Sequence, residues 1–191
     1  MIDAIIPARG GSKTIPRKNI VNIGGYPLLA YSIAACKMSK NISNIYVSTE
    51  DEEIANIAKK YGAKVPFMRP KDLSQDHSTD VGFLAHFFNN VEVKEVALIR
   101  PTTPFRDPRF MDSVIAEFYS IDKEITGLRT VNEISENPYK VLSGTTFGNK
   151  IYAKVCEKVI DIDTPFDLKI ARLQVGLGNK LLNYLKGEHN E

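Results

Sequence analysis

The chain is 191 residues long, 43% hydrophobic and close to neutral, with a formal net charge of +2. That is enough apolar material for one buried core, so residues 1–191 read as a single soluble domain. The small charge argues against a nucleic-acid surface, and no apolar run approaches the roughly 18 residues of a membrane span.

In chain order, Ile2 to Ile6 is short, β-branched and bounded by Pro7, as a buried strand would be. It feeds the loop Pro7-Ala-Arg-Gly-Gly-Ser-Lys-Thr-Ile-Pro-Arg-Lys-Asn19. Gly24-Gly25-Tyr26-Pro27 is a turn, and Leu28 to Met38 carries helical spacing with proline at its start. Ile45 to Ser48 reads as a strand, with Thr49 or Glu50 opening a helix over 51–61 that stops at Gly62. Val65 to Met68 is a short expected strand, and Arg69 to Asp80 is a polar loop over the site. A helix follows at Val81 to Phe88, a strand at Val96 to Ile99 and a helix at Pro108 to Tyr119. Strands are then expected at Ile125 to Val131 and Val159 to Asp163, and a helix at Phe166 to Val175. The tail from Lys180 can extend a helix. This alternation predicts a three-layer, open, mostly parallel α/β sheet of Rossmann-like type, with ligands beyond the carboxyl ends of its strands.

The loop after the first strand combines Arg9, Lys13, Arg17 and Lys18 with Gly10 and Gly11. Glycines that admit unusual dihedrals can present N–H groups to an anion while the cations supply countercharge, which suits a triphosphate. The spacing matches neither G-x-x-x-x-G-K-[ST] nor G-x-G-x-x-G, so no P-loop ATPase or dinucleotide fingerprint is present. In Ile160-Asp-Ile-Asp163, alternate residues of a strand share a face, placing Asp161 and Asp163 on one side and the isoleucines on the core side. Such a pair suits Mg²⁺, which takes one or two carboxylates and otherwise water and phosphate oxygens; equally, one aspartate could cap the next helix. Arg100-Pro-Thr-Thr-Pro104 is a proline-braced turn that can show the hydroxyls of Thr102 and Thr103 to a ligand. His77 reads as an exposed loop residue. Cys36 and Cys156 lack C-x-x-C spacing, which suits buried thiols in a reducing compartment. With no basic leader at the start, a cytoplasmic location is expected.

The segment Pro7 to Asn19 resembles the opening motif of the CMP-sialic acid synthetases, or acylneuraminate cytidylyltransferases. A solvated basic turn would explain its charge but not the ordered Gly-Gly-Ser-Lys and Pro-Arg-Lys-Asn together. The resemblance runs from residue 2 to about 142 and resumes near Phe147 to Ala171. It implies a nucleotidyltransferase fold and a reaction in which a 3-deoxy-2-keto acid sugar, such as an acidic nine-carbon sugar, attacks CTP with loss of pyrophosphate. Carried over by motif, Arg9, Gly10, Gly11, Ser12 and Lys18 surround the phosphates, with Arg9 and Lys18 as the catalytic cations. Asn19, Arg69 and Ser78 hold the nucleoside, with Asp80 a weaker candidate. Asp161 and Asp163 become the Mg²⁺ ligands. Arg100, Thr102, Thr103 and Lys140 become acceptor-side residues, Lys140 for the sugar carboxylate unless it is simply a solvated lysine.

Two departures stand out. Arg100 replaces the glutamine of many members, and a permanent cation without acceptor atoms cannot repeat all of glutamine's contacts, so a changed acceptor is expected. Between about 142 and 147 the family's arm, with a functional arginine and the usual homodimer contacts, does not appear: either the protein lacks it or this sequence omits it. A dimer is therefore in doubt here. Two other classes fit the same motifs: a related nucleotidyltransferase using another nucleotide or a sugar phosphate, and a nucleotide-binding protein without catalysis.

Overall fold

The computed structural model describes residues 1–132, 151–156 and 160–187. A parallel sheet in the order β4-β1-β5 is built from β1 (Ile2–Pro7), β4 (Ile42–Ser48) and β5 (Val96–Leu98). β2 (Asn22–Ile23) and β3 (Tyr26–Pro27) form a small antiparallel hairpin before α1 (Leu28–Met38). Around the sheet come α2 (Glu52–Lys60), α3 (Asp80–Asn90), α4 (Pro108–Ser120), α5 (Pro165–Val175) and α6 (Lys180–Lys186). β6 (Gly127–Asn132) and β7 (Ile151–Cys156) make a separate parallel pair.

Residue parity in β1 separates the layers. Ala4 and Ile6 join the main core with Ile45, Val47 and buried residues of α1, α2, α4, α5 and α6, whereas Ile5 packs beneath Phe83, Leu84 and Phe87 of α3. The sheet is thus covered on both faces, as parallel strands require, and the Rossmann-like α/β reading stands. Leu28 to Cys36 are buried on every side, which makes α1 a core helix rather than an amphipathic one. Its Tyr31 hydroxyl donates to the Ile23 carbonyl at 2.7 Å, pinning the hairpin, whose loop glycines Gly24 and Gly25 have φ of 59° and 93° as a two-residue turn demands.

Several expected elements change. Lys64 bridges to Tyr46 and the Arg69 N–H reaches the Thr49 carbonyl at 2.8 Å, yet Val65 to Met68 forms no strand. Pro66 has no N–H to continue the pairing. Ile160 to Asp163 is likewise outside any strand, joined to the turn after β5 by the Ile162 N–H to the Thr102 carbonyl at 2.8 Å. The second helix is capped by Asp51, whose side chain accepts from the Ile54 N–H, not by Thr49 or Glu50. β7 and the short 3₁₀ turns Lys18–Ile20 and Lys71–Ser74 had no clear sequence signal. Among the described residues no helix is long and apolar enough to cross a membrane.

Candidate active site

The strand order places β1 between the two directions of chain travel, and the crevice beyond its carboxyl end is where such sheets receive ligands. Three connections converge there. The Ala8 N–H donates to the Ser48 carbonyl at 3.0 Å, and the Ile99 N–H to the Ile5 carbonyl at 2.9 Å, so the ends of β4 and β5 flank the loop leaving β1. The Ile162 to Thr102 bond brings the acidic segment to the same rim.

Lys18 leaves the loop and donates through Nζ to the Ile162 carbonyl and to Asp163 Oδ1, both at 3.0 Å. Asp161 and Asp163 are exposed while Ile162 is fully buried, so the expected division of faces holds without a ladder to enforce it. Asp161 makes no hydrogen bond or ion pair among the described residues, and no group of three or more His, Cys, Asp or Glu able to hold a metal gathers there. Two exposed carboxylates on one face, one of them paired with Lys18, fit Mg²⁺ if phosphate oxygens and water complete its shell.

The four loop cations do not act alike. Arg9 NH1 lies 2.8 Å from Asp76 Oδ1 and Lys13 Nζ 2.7 Å from Asp76 Oδ2. Those contacts, Lys13 first, hold the exposed Asp76 carboxyl below the usual carboxylate range. Arg17 adopts φ 56° and forks onto Asp51, with Glu53 as a further partner. The hydrogen bond from Arg17 lowers the Asp51 pKa and raises that of Arg17. Lys18 points to Asp163. The countercharge expected at one point is spread over three.

Gly10 and Gly11 are not in the left-handed region, so the expected special dihedrals are not the reason for them. Gly10 instead permits close approach: a Cβ there would meet Asp51 Oδ2 at 2.6 Å. Its N–H donates to Glu50 Oε1 at 2.7 Å, which removes that donor from phosphate binding in this state. Gly11 is open and exposed, and Ser12 is half-buried beside it.

The nucleoside candidates Asn19, Arg69 and Ser78 each make hydrogen bonds within the protein. Asn19 is buried and its Nδ2 donates to the Arg9 carbonyl at 2.8 Å, fixing the loop from below. Arg69 is only 5% exposed; its Nε donates to Ser74 Oγ at 2.9 Å, its NH2 lies 3.1 Å from Glu50 Oε2, and its guanidinium sits 5.6 Å from the Phe83 ring centre. Burial lowers the Arg69 pKa. Ser78 Oγ accepts from the Gln75 N–H at 2.9 Å and donates to the Asp72 carbonyl at 2.8 Å, closing the turn that carries Asp76 and the exposed His77.

On the acceptor side, Arg100 pairs with Asp80 at the start of α3, and Thr102 and Thr103 are half-buried in the turn after β5. Lys140 and residues 142–147, where the family's arm was expected, lie outside the described residues. Sequence reading missed Glu50, Asp51 and Asp76. The first two follow a strand directly and look like helix-opening acids, and their partners some 34 to 40 residues away leave no local signal. Two hollows of about 170 and 270 Å³ flank Lys37, lined by residues such as Tyr61 and Ile42, and neither includes a residue of this rim.

Comparison with known proteins adds an independent line. A family model described as cytidylyltransferase matches residues 4–141. The chain is 56% identical over 75 residues to the pseudaminic acid cytidylyltransferase of Campylobacter jejuni, covering 39% of this chain and 32% of that protein. It is 36% identical over 153 residues to the CMP-N,N'-diacetyllegionaminic acid synthase of Legionella pneumophila, covering 78% and 65% respectively. The match thus spans between about a third and just under two thirds of these relatives' lengths. In fold, the chain is similar to a CMP:2-keto-3-deoxy-manno-octonic acid synthetase complexed with CTP, with a TM-score of 0.75 at 15% identity, covering 93% of this chain and 99% of that one.

Proposed function

The chain belongs to the cytidylyltransferase family, and on that premise we propose that it couples CTP to an acidic 3-deoxy-2-keto sugar of the nonulosonic class, releasing pyrophosphate. The relatives named for pseudaminic and legionaminic acid support this sugar class. The observation that carries the reading is the convergence of Lys18 with the Asp161 and Asp163 face at the carboxyl rim of the sheet.

In this reaction the anomeric hydroxyl oxygen bonds to the α-phosphorus, the bond to the α–β bridging oxygen breaks, and the hydroxyl proton passes to water. Such transfer depends on positioning and charge neutralisation more than on a protein nucleophile. Lys18, held by Ile162 and Asp163, stabilises charge at the α-phosphate or on the departing pyrophosphate. Arg9 and Lys13 exchange Asp76 for the outer phosphates, beside the open Gly11 and Ser12. Asn19, Arg69 and Ser78 serve chiefly by holding the loops that frame the nucleoside. Asp161 and Asp163 would hold Mg²⁺, which supplies charge neutralisation and eases ionisation of the hydroxyl. Arg100, Thr102, Thr103 and Lys140 are assigned to the acceptor. The buried free thiol of Cys36, pushed up to about 12 by burial, fits a reducing cytoplasm.

Calorimetric titration with CTP, UTP, GTP and ATP in Mg²⁺ tests the nucleotide, followed by pyrophosphate release with sialic, legionaminic, pseudaminic and Kdo-type acids. Selective CTP binding with turnover on one of these acids is expected. Preference for another nucleotide overturns the cytidylyl reading, and CTP binding without turnover on any acid leaves nucleotide binding alone.

A further inference from the structure

Glu50 stands at the end of β4 with a side chain only 16% exposed, and its two oxygens face different loops. Oε1 takes the Gly10 N–H of the phosphate loop at 2.7 Å, and Oε2 lies 3.1 Å from the NH2 of Arg69 at the head of the loop over the site. Both ends are anchored further. The Gly10 side runs through Arg9, whose carbonyl takes the Asn19 amide. The Arg69 side runs through Ser74, whose hydroxyl donates to the Pro70 carbonyl at 3.2 Å. A single carboxylate therefore joins the segment that would meet the triphosphate to the segment that would frame the nucleoside.

We propose that Glu50 is a positioning residue that sets the spacing between the phosphate and nucleoside halves of the nucleotide site; this rests on the nucleotide-binding reading above. A nucleoside triphosphate is one ligand in two linked parts, and its affinity exceeds that of the parts only while the two half-sites keep a matching separation. Glutamine at position 50 keeps the shape but can accept on only one side, and aspartate is one methylene too short to span both loops.

The test is calorimetric and competitive titration of the full chain in Mg²⁺ with CTP, with tripolyphosphate and with cytidine. Wild type, Glu50→Gln, Glu50→Asp and the exposed control Glu53→Gln are compared, with a melting temperature for each. For both Glu50 variants CTP binding should weaken about tenfold or more while each fragment changes no more than about threefold, the signature of lost linkage. Glu53→Gln should match wild type. Unchanged CTP binding in Glu50→Gln overturns the proposal alone. Proportional loss of CTP and both fragments, with a lower melting temperature, also overturns it and makes Glu50 a stabiliser of the fold. Absence of nucleotide binding by the wild type overturns the functional reading and the role of Glu50 with it.

Discussion

Lys18 Nζ and Asp163 Oδ1 stand 3.0 Å apart although 145 residues separate them in the chain. The same nitrogen donates to the Ile162 carbonyl, whose side chain is sealed in the main core, so the lysine is aimed by the packing of the closing segment. Lys18→Ala should then lower pyrophosphate release by about a hundredfold with a smaller change in CTP affinity, as expected for a group acting mainly on transition-state charge. Asp161→Asn, at a carboxylate with no partner among the described residues, should do the same without altering the melting temperature. Full turnover in Asp161→Asn would remove the metal role from this face.

Gly10 leaves no room for a side chain against Asp51. Gly10→Ala should push Asp51 off Arg17 and disturb the Gly10 N–H bond to Glu50, costing about 1–3 kcal/mol as overpacking does. Urea denaturation measures this. A midpoint equal to that of the wild type would mean that the loop moves aside freely.

Asp76 bridges Arg9 and Lys13 where the outer phosphates are proposed to bind. The ligand must displace it, and contacts this exposed are individually weak and salt-sensitive. Asp76→Asn should tighten both CTP and pyrophosphate several-fold at low salt, with the difference shrinking as salt rises. Weaker binding in the variant would show that Asp76 helps to build the cradle.

The Asp51 pKa is lowered, first by the hydrogen bond from Arg17. A lowered folded pKa gives stability that is complete above the ordinary carboxylate value of about 4 and is lost as pH falls through the folded value. Asp51→Asn should therefore be less stable than wild type at neutral pH and converge with it in acid, followed by urea midpoints across about pH 2 to 6. A gap that stays constant down to the lowest pH would show that the charge contributes nothing.

Ser48 Oγ, at the end of β4, is buried without a partner among the described residues. Such a hydroxyl carries an uncompensated desolvation cost, so Ser48→Ala should be neutral or stabilising by up to about 1–2 kcal/mol in thermal melts of the free protein. Marked loss of stability would reveal a partner, such as an ordered water.

The sequence by itself determined the alternation of strands and helices that builds the layers. Buried β-branched runs alternating with helical spacing leave few arrangements, whereas the division of Ala4 and Ile6 from Ile5 between the two faces of β1 is seen only in the folded chain. Loop composition marked Arg9 to Asn19 as an anion site, and alternation around Ile162 turned Asp161 and Asp163 outward. The tertiary structure decided how charges are shared, because Arg17 with Asp51, Arg69 with Glu50, Lys18 with Asp163 and Arg9 with Asp76 join segments remote in sequence. Attraction at a few ångströms depends on which loop ends the strand order brings together, and local spacing carries no record of that. For the same reason the glycine at position 10 looked like a dihedral requirement and turned out to be room for Asp51.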